Sequence, residues 1–594
     1  MHFALALLYA TATSSLLAVF LAFLHGGLNP LIAATSLAFG ALVAIRHLWI
    51  SRHSPTVSTP PNPWEWMAIA SFTLVSARIF LWLVFTEKDS IKVLSPNNLG
   101  DLSLHITYIK YLASGVPFWP ENPIFTGGSL TYPIGVDLLN SLLILVGVDL
   151  FRSLIWVGLV GAALTGMALW HSGRAFSLFG FLANGGLFAF PIFFTAQLAD
   201  FQSIFAWKSL ALALLATQRG LLFALPAGLL LLISWRLRWF ITTSSPLLSR
   251  PGQLLLYSSL PLFHLHTFLF LSFLLACWFI CFPSIRRDLL QFVALALIPA
   301  STLVLLVTGH LHGASVLGVK LGWMWDDPPF VDWCRLTFGE PARTFAGVLF
   351  WPLNFGILPI LIALLLFTLW KKKSFGWPAA ILLPSLLVFL LCSLFKFAPW
   401  EWDNTKLIVW SYLTILPVLW SELLAHWSFP ARALTCFALF FSGFLSTLGG
   451  LDSSPQGYPI ASREELDGVA SALHSIPPTE RFVGAPTYNH PLLLSGRKMA
   501  LGYLGHVISH GLDWEQPSLN LDALLLGHER WRELSQQLGV RYLFWGRLED
   551  QAYPQSTQPW KGQVQLVASG DWGEIYDLSS PIKKIQPAPP EILP

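Results

Sequence analysis

Residues 95–140 read SPNNLGDLSLHITYIKYLASGVPFWPENPIFTGGSLTYPIGVDLLN, the first long polar and aromatic interruption in a chain otherwise made of apolar segments. Its pattern predicts a short amphipathic helix over 102–114 at a membrane surface. Asp101 and His105 are four apart, which puts their side chains on one helix face as a candidate acid/base pair. The simpler alternative is that Asp101 only caps this helix, because Asp just before an apolar periodic run is a favoured N-cap.

Working outward, 54% of the 594 residues are hydrophobic and only 11% are charged, which excludes a soluble globular protein and predicts a multi-pass membrane protein. The net charge is +3, and lysines and arginines fall in short runs between apolar segments, so no nucleic-acid partner is expected. Cys277, Cys281, Cys392 and Cys436 lie inside apolar segments and Cys334 in a long loop, which gives neither a disulfide frame nor zinc spacing.

At about 20 apolar residues per crossing, with Lys and Arg collected on the cytoplasmic side, the chain threads a membrane about thirteen times, N-terminus in and C-terminus out. Crossings fall near 3–24, 28–45, 65–85, 152–170, 177–194 and 220–235. A hairpin of two shortish helices follows, turning near Phe263-His264-Leu265-His266, and then come crossings near 289–307, 353–370, 377–395, 407–425 and 433–449. The segment 134–148 is short for a crossing and reads as re-entrant or interfacial. The expected domains are an N-terminal hairpin and cytoplasmic linker (1–64), a transmembrane core (65–450) with its external loop at 86–135, an extracytoplasmic α/β domain (451–580) and a Pro-rich disordered tail (581–594). In the α/β domain Ser462-Arg-Glu-Glu465 is a capping box, 481–485, 540–546 and 573–578 read as strands, and 522–538 reads as a helix. No internal repeat of the inverted-repeat transporter kind is present.

This threading brings Asp101, the His264 and His266 turn, the loop Trp402 to Lys406 and the C-terminal domain to one face. A carboxylate such as Asp101 can take the proton of an attacking hydroxyl. Lys208 and Arg219, flanking the apolar run SLALALLATQ, and Lys406 are placed to hold a lipid phosphate or, alternatively, to anchor the chain in headgroups. Trp402, Asp403 and Asn404 beside Lys406 suit sugar stacking and hydroxyl recognition or an interfacial aromatic belt, and Tyr132 lies on the same face. His264 and His266 are candidate substrate ligands; with Asp101 they could coordinate a divalent ion, although two histidines and one aspartate from separate loops are a weak metal signal. No other cofactor is implied.

The order of Asp101 in GDLSLH, then Gly115-Val-Pro117, Pro123-Ile-Phe125 and Leu130-Thr-Tyr-Pro-Ile-Gly135, resembles the first external loop of GT-C-fold glycosyltransferases. The likeness extends to Thr217-Gln-Arg-Gly220, Ser495-Gly-Arg497 and Val540-Arg-Tyr542. Members of that superfamily take a sugar from a polyprenyl phosphate or diphosphate carrier, and the first-loop Asp is generally the catalytic carboxylate, a role the resemblance assigns to Asp101. Two departures stand out: a helical hairpin precedes the usual first span, and the later acidic residue of many relatives has no single counterpart among Glu121, Asp200 and Asp403. The resemblance implies an inverting transferase in a bacterial cytoplasmic membrane, moving a sugar from a polyprenyl-phosphate carrier to a hydroxyl on a glycan, lipid or protein acceptor outside. The alternatives are a transporter or flippase of a lipid-linked intermediate and a non-catalytic envelope assembly protein.

Overall fold

The computed structural model describes residues 1–52, 60–189, 192, 197–241, 247–311, 317–373, 376–451 and 456–581. The chain opens with α1 (His2–His25) and α2 (Pro30–Ser51), joined where Gly26 takes a left-handed φ of 90° and Asn29 caps α2 through the Ile32 N–H at 2.9 Å. Helix α3 (Pro63–Leu81) starts with a capping box between Asn62 and Glu65 behind a proline, a combination preorganised for a helix start. It leads into the hairpin β1 (Phe85–Glu87) and β2 (Ser90–Val93). Then come α4 (Asn98–Ala113), α5 (Gly135–Leu145) and α6 (Leu150–Leu182).

Among the described residues nine helices are long and apolar enough to cross a membrane, or ten if the bent pair Pro341–Phe355 and Leu358–Lys372 is one span. The chain is a polytopic helical membrane protein. Among the described residues that is fewer long spans than the about thirteen crossings expected. Gly173 and Arg174 leave helical geometry inside α6, where Glu65 pairs with the Arg174 guanidinium, and α6 ends at Leu182; of the crossing expected at 177–194, residues 190, 191, 193 and 194 lie outside the described residues. The hairpin turns at His264 as expected, but its arms, Arg250–Phe263 and Leu265–Cys281, have only 14 and 17 residues. Helix α5 has 11 residues, too few to cross, in keeping with the re-entrant reading of 134–148.

The loop and the C-terminal region are stitched together. A two-stranded pair, β3 (Gly318–Val319) with β4 (Phe395–Lys396), links two membrane loops. Strand β5 (Tyr458–Ser462) pairs antiparallel with β2, so the segments following α3 and the helix Phe429–Leu451 meet in one sheet. A second sheet of β6 (Arg481–Val483), β7 (Lys498–Met499), β8 (Tyr542–Trp545), β9 (Val564–Gly570) and β10 (Gly573–Pro581) has the order β7-β6-β8-β10-β9, with β6 parallel to β7 and β8. The Ser462 hydroxyl accepts the Glu465 N–H and opens the helix Arg463–Ala472, while the helix expected over 522–538 is two, Glu515–Leu525 and Trp531–Gln537. Residues 123–126 of the long loop run beside 499–502: Met499 N–H donates to the Pro123 carbonyl at 2.9 Å and Gly502 N–H to that of Ile124 at 2.8 Å. Glu121 closes this seam on Lys498 at 2.5 Å and Arg481 at 2.8 Å. The expected disordered tail lies outside the described residues beyond Pro581.

Candidate active site

Helix α4 begins four residues earlier than expected, because the Ser95 and Pro96 carbonyls already accept the Asn98 and Leu99 N–H groups. Asp101 therefore sits inside the first turn, and no side chain caps this helix. The capping alternative is corrected by that register: the carboxylate is left for the cavity beside it.

Asp101 and His105 share a helix but not an environment. His105 turns into the protein, its Nδ1 2.9 Å from the Asp137 carboxylate of α5. Arg219 joins the same buried group, its Nη2 donating to Asn140 Oδ1 at 2.8 Å and its Nε lying 3.9 Å from Asp137. Asn140 donates in turn to the Ser153 hydroxyl at 3.1 Å. Neither His105 nor Arg219 lines the cavity that receives Asp101, so the expected acid/base partner and one expected phosphate ligand stand behind its wall. They lock α4 on α5. Asp137→Asn would leave Arg219 without its carboxylate at 2% exposure. The expected loss is about 3–5 kcal/mol of stability, read as a lowered unfolding midpoint in detergent; an unchanged midpoint would refute the charge lock.

The cavity measures about 1080 Å³ and gathers residues from six separate segments, one of them contributing Val307, Thr308, Leu311 and Leu317. Asp101 and Tyr132 come from the long loop, Lys208 from the segment before Thr217, His264 and His266 from the hairpin turn, and Trp402, Asp403 and Lys406 from the loop that follows β4. Lys406 pairs with Asp403 at 3.1 Å, and Lys208 Nζ lies 5.8 Å from the Trp402 ring centroid. The Trp402 indole donates to the Ala206 carbonyl at 3.0 Å and is mostly buried, which makes it wall as much as platform. Asn404 does not reach the cavity; its amide holds the loop by accepting the Phe397 N–H at 2.9 Å and donating to the Phe395 and Cys392 carbonyls at 2.7 and 2.9 Å. A Cβ on Gly220 would stand 2.0 Å from the Phe263 carbonyl oxygen, so only glycine lets the Thr217 to Gly220 wall press on the hairpin turn.

The sixth segment, 503–512 of the C-terminal domain, is not among the sites that the sequence marks. Tyr503, His506 and His510 face the cavity, His510 packing at 5.1 Å on Tyr132, which itself packs at 5.2 Å on Tyr108. His506 Nε2 would meet a Cβ on Gly100 at 3.3 Å, next to Asp101. The spacing of His506 and His510 in GHVISH equals that of Asp101 and His105, the one local signal that marks this stretch.

Burial pushes the Asp101 carboxyl above the usual carboxylate range, opposed by the charges of His105 and Lys406 and by the Thr217 hydroxyl. Burial likewise lowers the Lys208 ammonium, against the pull of Asp200, Asp327 and Asp101. The His506 and His510 imidazoles are pushed down to about 4 and about 3 by burial, which leaves them neutral near pH 7. Among the described residues no three His, Cys, Asp or Glu side chains cluster as a metal site, and His264 Nδ1 is already occupied in capping its helix. Asp101, His264 and His266 do not form such a cluster among the described residues.

No protein-family model and no curated protein matches the chain. Among solved structures the chain is similar to the Archaeoglobus fulgidus oligosaccharyltransferase in the apo form, at 12% identity and a TM-score of 0.46, over 81% of this chain and 69% of that one. It is similar to the same extent to that enzyme in complex with Zn and sulfate, at 12% identity, a TM-score of 0.46 and 81% and 68% coverage.

Proposed function

We propose that the chain is a GT-C-type glycosyltransferase that moves a sugar from a polyprenyl-phosphate carrier to a hydroxyl acceptor on the outer face of a bacterial cytoplasmic membrane. The observation that carries this reading is the meeting of a half-buried carboxylate, two lysines and an apolar lip in one cavity. Asp101 takes the acceptor hydroxyl proton as that oxygen attacks the anomeric carbon from the side opposite the carrier. The bond from the anomeric carbon to the phosphate oxygen breaks, its electron pair leaves with the polyprenyl phosphate, and configuration inverts. Lys208 and Lys406 stabilise the departing phosphate in place of Arg219. Leu269, Leu311 and Leu317, exposed residues at the edge of the cavity, take the carrier chain.

Tyr132 and the 503–512 segment line the acceptor side, so the C-terminal domain, taken as 451–580, selects the acceptor. The outer-face assignment follows from the basic runs at Arg46, Arg174, Arg286 and Lys371, which belong inside. The test is to supply the purified full chain in lipid nanodiscs with a panel of isoprenyl-phosphate hexoses and pentoses and a mixed envelope-glycan acceptor. Release of isoprenyl phosphate that depends on acceptor is the expected result. Movement of intact carrier across vesicles without cleavage would establish the flippase alternative instead.

A further inference from the structure

The hairpin turn holds a histidine with one ring nitrogen engaged and the other unused. His264 caps the helix Leu265–Cys281, its Nδ1 accepting the Thr267 backbone N–H at 3.2 Å. The Thr267 hydroxyl stands 2.8 Å from the same nitrogen, and its oxygen accepts the Trp410 indole N–H at 2.8 Å, which leaves the hydroxyl hydrogen to point at Nδ1. A ring nitrogen that accepts a backbone N–H carries no proton, and a neutral imidazole then bears its proton on the other nitrogen. Nε2 is accordingly an N–H donor, buried and without a partner, on a side chain 5% exposed in the cavity wall. Such a donor is unfavourable unless a water or ligand oxygen meets it.

The neighbours specify that oxygen. The charge of Lys406, also a donor without acceptor capacity, acts on both His264 and His266. Leu265 and Leu269 follow His264 along the helix and line the cavity's apolar side. A molecule touching all three carries acceptor oxygens, negative charge and an apolar chain.

We propose that His264 Nε2–H is a fixed hydrogen-bond donor to the phosphate of an amphiphile whose chain leaves the cavity along Leu265 and Leu269. This rests on the carrier-phosphate reading and adds the orientation of the carrier to it. Two substitutions separate donor from cap. Asn at 264 keeps an acceptor where Nδ1 stood and has nothing at the Nε2 position; Gln reaches that position with an amide N–H and gives up the cap.

Binding of farnesyl phosphate, farnesol and inorganic phosphate to the full chain in nanodiscs is measured calorimetrically. Wild type is expected to bind farnesyl phosphate more tightly than either other probe. His264→Asn is expected to weaken farnesyl phosphate about tenfold without changing farnesol, and His264→Gln to stay within about threefold of wild type. Unchanged farnesyl phosphate binding in His264→Asn, or an equal or larger loss in His264→Gln, overturns the donor role and leaves the carrier reading standing. Farnesyl phosphate binding no tighter than farnesol in wild type overturns both. Inorganic phosphate binding as tightly as farnesyl phosphate overturns the amphiphile and makes the subsite one for free phosphate.

Discussion

Asp101→Asn is expected to reduce sugar transfer by about 10²–10⁴-fold while the protein folds normally, because the isosteric amide keeps the shape of the α4 turn and cannot accept the acceptor's proton. The pH dependence follows from burial. A general base works only when deprotonated, so transfer is present above the Asp101 pKa and lost as pH falls through it. Since burial raises that pKa, the acid limb of the rate profile lies above the ordinary carboxylate range and disappears in the variant. Stability runs the other way. A carboxyl whose pKa is higher folded than unfolded binds more protons in the native state, so its contribution to stability falls as pH rises between the two values. Asp101→Asn is therefore expected to unfold at the same or a higher temperature near pH 7. Full transfer activity in a folded Asp101→Asn protein would remove Asp101 from the reaction.

Lys406→Met is expected to raise the KM for the carrier-linked sugar by about 10²-fold, the effect of deleting one partner of a largely buried charged contact. Its ammonium pairs with Asp403 at 3.1 Å with both side chains only 14% exposed. Removing it takes away a phosphate ligand and also leaves Asp403 uncompensated beside the carrier. The double variant Asp403→Asn with Lys406→Met separates the two effects. If Lys406 holds phosphate, the double variant binds the donor as poorly as Lys406→Met; if its task is only to neutralise Asp403, the double variant recovers wild-type affinity. Lys208, drawn over the Trp402 ring and facing Asp200 and Asp327 as well as Asp101, is more dispersed in its attractions, and Lys406 is the sharper probe.

Local chemistry was legible at several points. The helix start at Ser462, whose hydroxyl accepts the Glu465 N–H, the turn at His264 and the strand at 542–545 lie where residue type and periodicity put them, because each is decided by neighbours a few residues away. Boundaries read less well. The apolar pattern starts α4 only at Leu102 because the polar turn before it hides the helix, and it divides α6 into two crossings at Arg174, where the helix resumes after a kink and Glu65 of α3, 109 residues earlier, holds the guanidinium.

Hydrophobicity and charge spacing by themselves determined that this is a polytopic membrane protein and that Asp101, Lys208, Trp402, Asp403 and Lys406 belong to its polar interruptions. Both properties are sums over short windows, which a linear chain displays openly. Only the tertiary structure decided which of these residues meet. His105 and Arg219 are sequence neighbours of the cavity-lining Leu104, Gln218 and Gly220, yet both turn inward to Asp137, while His506 and His510 arrive from some 400 residues downstream through the seam between 123–126 and 499–502. A buried arginine goes wherever a carboxylate compensates it, and that partner is chosen by the packing of distant segments rather than by spacing along the chain.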